Sequence, residues 1–270
     1  MFEFLKSFIL GIVEGITEWL PVSSTGHMIL LNEFINNKGT FTDSDLYLYV
    51  IQLGAILAVA TVFFHKLNPF SSKKTAVEKS DTWQMWFKVI VACIPAAVIG
   101  LLLNDFMDSF ENWKVVSATL IIYGIAFIVV EKLNKKTVIT TMNDMNYKTA
   151  LIIGAFQVLS IIPGTSRSGS TILGGMLVGC SREIAAEFSF FLAIPVMVGV
   201  SFLKIVTYEG TLTATDIGVL ITGMLTAYLV SLASIKMLMN YVRKHSFSSF
   251  GWYRIILGIV VILFFTLTSV

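Results

Sequence analysis

From Leu151 to Gly179 the chain reads LIIGAFQVLSIIPGTSRSGSTILGGMLVG, two apolar runs parted by small and hydroxyl-bearing residues. The runs, Leu151 to Ile162 and Thr171 to Gly179, are each too short for a bilayer crossing, which takes roughly 20 mostly apolar residues. Between them lies Pro163-Gly164-Thr165-Ser166-Arg167-Ser168-Gly169-Ser170-Thr171. Irregular backbone at membrane depth is tolerated only where protein or a water-filled cavity covers it. The spacing predicts a re-entrant helical hairpin that dips in and turns back. A second such pair stands near the start of the chain, where Phe8 to Leu20 and Met28 to Ile35 flank Pro21-Val22-Ser23-Ser24-Thr25-Gly26-His27.

The rest of the chain supplies the membrane. Of 270 residues 56% are hydrophobic and 13% charged, against about 25% charged in soluble domains, and the mean hydropathy is +0.81. A soluble globular protein is excluded. A net charge of +2 is too near balance to suggest a nucleic-acid partner, and none is expected. Six segments approach spanning length: Leu46 to Phe64, Val89 to Leu103, Val115 to Val130, Phe188 to Val206, Ile217 to Ile235 and Ile255 to Val270. Trp83, Trp86, Trp113, Trp252 and Tyr253 sit at their ends, as an interfacial belt requires. No cleavable leader is expected, because Glu3, Glu14 and Glu18 interrupt the first apolar stretch. Cys93 and Cys180 match no metal or redox spacing and are expected to be packing residues.

Lysines and arginines orient the spans. Lys66 to Lys88 carries five bases, Lys132 to Lys148 four and Lys236 to Arg254 four, in alternate loops; the others hold Asp105, Asp108, Glu111 and Lys114, then Glu209 and Asp216. Both termini are therefore expected outside, with the first hairpin entering from outside and the second from inside. A shift of 143 residues lays Gly11 on Gly154, Glu14 on Gln157, Thr17 on Ser160, Ser23 on Ser166, Thr25 on Ser168 and Gly26 on Gly169. Each half is a hairpin followed by three spans, an odd number that turns the second copy over. The expected fold is thus an all-α polytopic membrane protein: six spanning helices and two re-entrant helical hairpins in an inverted-topology repeat. Residues 1–131 form the first repeat, 132–147 a basic cytoplasmic linker and 148–270 the second repeat.

Chemistry is concentrated where the hairpins would meet. Glu14 and Glu18 are four apart and share a helix face; buried carboxylates are costly and usually serve a site. His27 follows a run of hydroxyls, whereas His65 and His245 stand beside Lys66 and Lys244 at span ends. Arg167 has the planar fork that fits phosphate oxygens, with Ser166, Ser168, Ser170 and Thr171 around it; its competing reading is a structural pair with a carboxylate. Together these groups read as a phosphate-handling site in which the two glutamates can hold a divalent cation. The type 2 lipid phosphatase pattern fails, since it needs a histidine where Leu173 stands.

The run Glu14-Gly15-Ile16-Thr17-Glu18-Trp19-Leu20-Pro21-Val22-Ser23-Ser24-Thr25-Gly26-His27, with the Pro163 to Thr171 motif, resembles the bacterial undecaprenyl-diphosphate phosphatase family, the bacitracin-resistance proteins, along the whole chain. The resemblance implies a plasma-membrane hydrolase that removes the terminal phosphate of undecaprenyl diphosphate and so recycles the lipid carrier of cell-wall synthesis. It implies a divalent cation, Mg2+ or Ca2+, with Glu14 and Glu18 binding it or acting as base, and diphosphate held by Arg167. Ser24 and His27 would be nucleophile and base, with attack by His27 or by water left open. Ser23, Thr25, Gly164, Ser166, Ser168 and Thr171 would bind phosphate, and the site would open to the extracytoplasmic side. A flippase or other secondary transporter would use the same anion clamp, and the oligomeric state is left open, a homodimer included.

Overall fold

Apolar runs of 18 residues or more, almost free of glycine-proline pairs and of charge, can satisfy their backbone in a membrane only as helices. In the computed structural model, which describes residues 2–108, 110, 112–133 and 136–268, they do so. The helices are α1 (Phe2–Thr17), α2 (Ser24–Phe34), α3 (Asp45–Val62), α4 (Ala76–Asp108), α5 (Trp113–Lys132), α6 (Tyr147–Val158), α7 (Arg167–Leu177), α8 (Arg182–Val206), α9 (Ala214–Val242) and α10 (Ser248–Thr268). Among the described residues there is no strand; one isolated bridge joins Ile139 to Cys180. Helices α3, α4, α5, α8, α9 and α10 are long and apolar enough to cross a bilayer. The side chains of Asp105 and Asp108, and all of Glu111, Lys135 and Val270, lie outside the described set.

Several boundaries differ from the sequence reading. Helix α4 begins at Ala76 instead of Val89, so Lys79, Trp83, Trp86 and Lys88 ride on a helix and not in a loop. Lys88 is buried, and its ammonium donates to the Met142 carbonyl at 3.1 Å. Helix α9 runs on to Val242 and carries Lys236, and α8 begins at Arg182. Hydropathy marks where lipid begins, but a helix continues past the lipid as long as its hydrogen bonds are made. The largest correction is Arg254. It belongs to no loop; it lies six residues into α10 and is fully buried.

The short helices pack on the long ones. Helix α1 lies along α9 and α6 along α4, so each short helix rests on a long helix from the other half of the chain. Both contacts are made through glycines related by the 143-residue shift. A β-carbon on Gly11 would stand 2.7 Å from the Gly223 carbonyl oxygen, and one on Gly154 would stand 2.1 Å from that of Ala92. Close backbone approach of this kind is how helices associate where no hydrophobic effect drives them. Helix α5 lies along α10, with Gly124 and Gly251 backbone to backbone. A continuous core of Trp19, Phe63, Phe127, Phe188, Phe190 and Phe191 fills the centre. Cys93 and Cys180 are free and pack against or within it.

Candidate active site

The two breaks are built alike. Ser23 and Ser166 each precede a short helix with φ of 72° and 74°, a region that residues with a β-carbon seldom occupy. Each hydroxyl accepts from the backbone N–H three residues on, Ser23 from Gly26 at 3.3 Å and Ser166 from Gly169 at 3.2 Å. An N-cap bond of this kind satisfies one of the helix's orphan donors. Two hydroxyls read from the sequence as phosphate ligands thus also hold the turns, as acceptors. Ser168 likewise donates to the Glu18 carbonyl at 3.1 Å, and Thr171 to Ser189 Oγ at 2.7 Å. Thr25 is partly exposed in the first turn of α2. Gly164 has φ of +83°, and a β-carbon there would meet Thr119 Oγ1 at 2.3 Å and the Val116 backbone at 2.8 Å, so this glycine lets the second break lie against α5.

The charged groups come together across the breaks. Arg167 Nη2 donates to Glu18 Oε1 at 2.9 Å, and Nη1 donates to the Ser189 carbonyl at 2.9 Å. The Arg-carboxylate pair weighed as a rival reading therefore exists in this structure, between side chains 11% and 9% exposed. Glu18 lies just beyond α1, yet its N–H still bonds to the Glu14 carbonyl at 3.0 Å, so the two glutamates keep helical spacing. Ser24 Oγ stands 3.5 Å from Glu18 Oε2, at the outer edge of a hydrogen bond.

His27 is directed elsewhere. Its Nδ1 lies 2.7 Å from the Ser23 carbonyl oxygen and its Nε2 lies 2.7 Å from Tyr253 Oη, with the two rings stacked. A carbonyl only accepts, so Nδ1 carries the proton and Nε2 of the neutral ring accepts from the tyrosine hydroxyl. Neither nitrogen bonds Ser24, and the expected Ser24–His27 pair is not formed here. The His27 and Tyr253 rings border an apolar groove of about 470 Å3 lined by Ile16, Leu20, Val22, Met237 and Phe250.

Buried side-chain atoms nearly always find a hydrogen-bond partner. Here Glu14 Oε1, both amide atoms of Gln157, Thr165 Oγ1, and Nε of Arg167 and of Arg254 find none among the described residues. The unsatisfied Glu14 Oε1 and Arg167 Nε, beside the Arg167–Glu18 pair, suit a charged, oxygen-rich occupant. Among the described residues no three or more His, Cys, Asp and Glu side chains gather as metal ligands. The two glutamates and Ser24 form an all-oxygen set that fits a hard divalent cation completed by substrate or water oxygens, and the unpartnered Glu14 Oε1 is the atom that points to one.

Sequence reasoning missed Arg254, whose Nη1 donates to the Pro21 carbonyl at 3.2 Å and whose Nη2 donates to those of Gly164 and Thr165, both at 2.9 Å. Its local signal was ambiguous, a base beside Trp252 and Tyr253 being what a span end also shows. It also missed Ser189, which receives both Arg167 and Thr171.

The family described as bacitracin resistance protein BacA matches residues 7–260, and so takes in both breaks and Arg254. The chain belongs to this family. Relatives of this chain include an undecaprenyl-diphosphatase of Enterococcus faecalis, 57% identical over 263 residues and 95% of both chains. One of Limosilactobacillus fermentum is 53% identical over the full length of both, and one of Streptococcus thermophilus is 55% identical over 97% of this chain and 93% of its own.

Proposed function

We propose that this BacA-family chain is the integral membrane hydrolase that cleaves undecaprenyl diphosphate to undecaprenyl phosphate and inorganic phosphate, recycling the lipid carrier for cell-wall synthesis and conferring bacitracin resistance. The observation that carries the reading is the meeting of Arg167 with Glu18 across the two breaks, beside the unpartnered Glu14 carboxylate. A transporter would need the anion clamp but no carboxylate within reach of a hydroxyl.

Arg167 would hold the terminal phosphate, turning its unpartnered Nε and an Nη toward the phosphate oxygens. An oxygen nucleophile, the Ser24 hydroxyl or a water, attacks the terminal phosphorus, and the bond from that phosphorus to the bridging oxygen breaks. The nucleophile's proton passes to Glu18, the base nearest Ser24 at 3.5 Å, and the leaving lipid monophosphate departs as an anion. If Ser24 attacks, a water then hydrolyses the phosphoserine. His27, with Nε2 against Tyr253, would exchange protons at the mouth of the groove. A divalent cation held by Glu14 and Glu18 would supply neutralisation of diphosphate charge. The apolar groove beside His27 would take the first isoprene units.

The short helices would be re-entrant hairpins entering from opposite faces. The glycine contacts at Gly11 and Gly154 and the twin serine caps support an inverted repeat of residues 1–131 and 148–270 about a basic linker. Both termini would lie outside, because the basic loops alternate, and the site would open to the face from which the first hairpin enters. A cysteine at Lys73 should resist impermeant reagents in intact cells and one at Glu209 should label; the reverse pattern overturns the orientation. Purified, detergent-solubilised protein should release phosphate from a polyprenyl diphosphate, and a chelator should suppress the release. With no gradient present, failure to release phosphate would favour transport.

A further inference from the structure

Arg254 belongs to neither break yet bonds to both. Its three acceptors are the Pro21 carbonyl of the first break and the Gly164 and Thr165 carbonyls of the second. The guanidinium lies over the Tyr123 ring, 5.5 Å from the centroid. The motif makes room for it: a β-carbon on Gly169 would stand 3.2 Å from Arg254 Nη1. What it lacks is a counter-charge. Among the described residues no carboxylate pairs with it, whereas Arg167 has Glu18. Carbonyl dipoles satisfy its hydrogen bonds but leave a full positive charge, and such a charge inside a membrane is costly unless something compensates it. Its Nε remains unpartnered.

We infer that Arg254 is a positioning residue of the diphosphate site: it locks the two breaks at a fixed separation, and its charge is balanced by the bound diphosphate. The inference rests on the diphosphatase reading above. Three carbonyls on two segments cannot all be reached by an ammonium, so the fork geometry sets the register that brings Arg167 to Glu18. With a divalent cation on the glutamates, the site is net positive until the diphosphate arrives. Folding and substrate binding are thereby linked through one side chain. The bland alternative is a strut whose charge is immaterial.

The test uses the purified full chain with Arg254→Lys and Arg254→Gln. It measures kcat and KM on a prenyl diphosphate, and Tm with and without inorganic pyrophosphate. Lys keeps the charge and loses the reach, so kcat should fall about tenfold or more while KM and the pyrophosphate-induced rise in Tm stay near wild type. Gln loses both, so kcat should fall, KM should rise about tenfold, and the rise in Tm should vanish. A strut would give both variants the same pyrophosphate response. A full rise in Tm for the Gln variant, or wild-type kcat for the Lys variant, overturns the inference. Should the Gln variant fail to fold, kcat of the Lys variant decides. Wild-type protein that hydrolyses no prenyl diphosphate would instead overturn the diphosphatase reading, whatever the variants do.

Discussion

The first break and the second share a backbone and divide the chemistry. Both turn at a serine with φ near +73°, both cap an 11-residue helix through that serine's hydroxyl, and both are followed by a glycine three residues on. The first is flanked by Glu14, Glu18 and His27, and the second carries Arg167. Neither is a site alone. Glu18 and Arg167 need each other as ion partners, and Ser168 reaches back to the Glu18 carbonyl. Two turns of one geometry can thus display different side chains in complementary roles.

Arg167 offers the largest effect with which to break the comparison. Arg167→Ala should lower phosphate release by a factor on the order of several hundred, the value of one charged contact made in the transition state. Arg167→Lys should also be severely impaired, since it keeps charge but loses the fork. The Ala variant should lose stability as well, because it leaves Glu18 buried without its partner. Adding Glu18→Gln should return the thermal midpoint toward wild type without returning activity. Activity restored in that double variant would show Arg167 to be a structural partner and no more.

Glu14 should behave oppositely. Its carboxylate has no partner for Oε1, so Glu14→Gln removes a buried negative charge and should leave the midpoint unchanged or raised. Activity should nevertheless drop by at least about tenfold, with added divalent metal restoring only part of it. A Glu14→Gln variant that is both destabilised and fully active would erase the distinction between the two glutamates.

The caps give the smallest effect and sharpen the likeness. Ser23→Ala and Ser166→Ala should each cost about 1 to 2 kcal/mol through the lost cap, the β-carbon strain being common to both residues. Ser→Gly at either position should cost less, because glycine accepts positive φ. Thermal unfolding of the four single variants would check this, and unequal penalties at the two positions would mean that the turns are only superficially alike.

Hydropathy made the six spans and the four short helices legible, and the motif residues Glu14, Glu18 and Arg167 do converge. Other features could not be read from the chain. Positive φ at a serine leaves no mark in sequence, so the capping role of Ser23 and Ser166 could not be read from it. The spacing of Ser24 and His27 suggested a pair, but Tyr253, 226 residues away, holds the ring. Arg254 has the local surroundings of a base at a membrane surface, and only tertiary packing of α10 on α5 takes it to the centre.

That packing has a consequence for how the protein comes to be made. Helix α10 leaves the ribosome after α1 to α9, and in the folded chain Gly251 lies against Gly124. Until then the chain already holds Glu14, Glu18, His27 and Arg167, but the Pro21, Gly164 and Thr165 carbonyls have no donor between them. If Arg254 sets the register of the two breaks, hydrolysis should wait on the insertion of α10. A chain ending before Ser248 should settle in the membrane and still hydrolyse nothing.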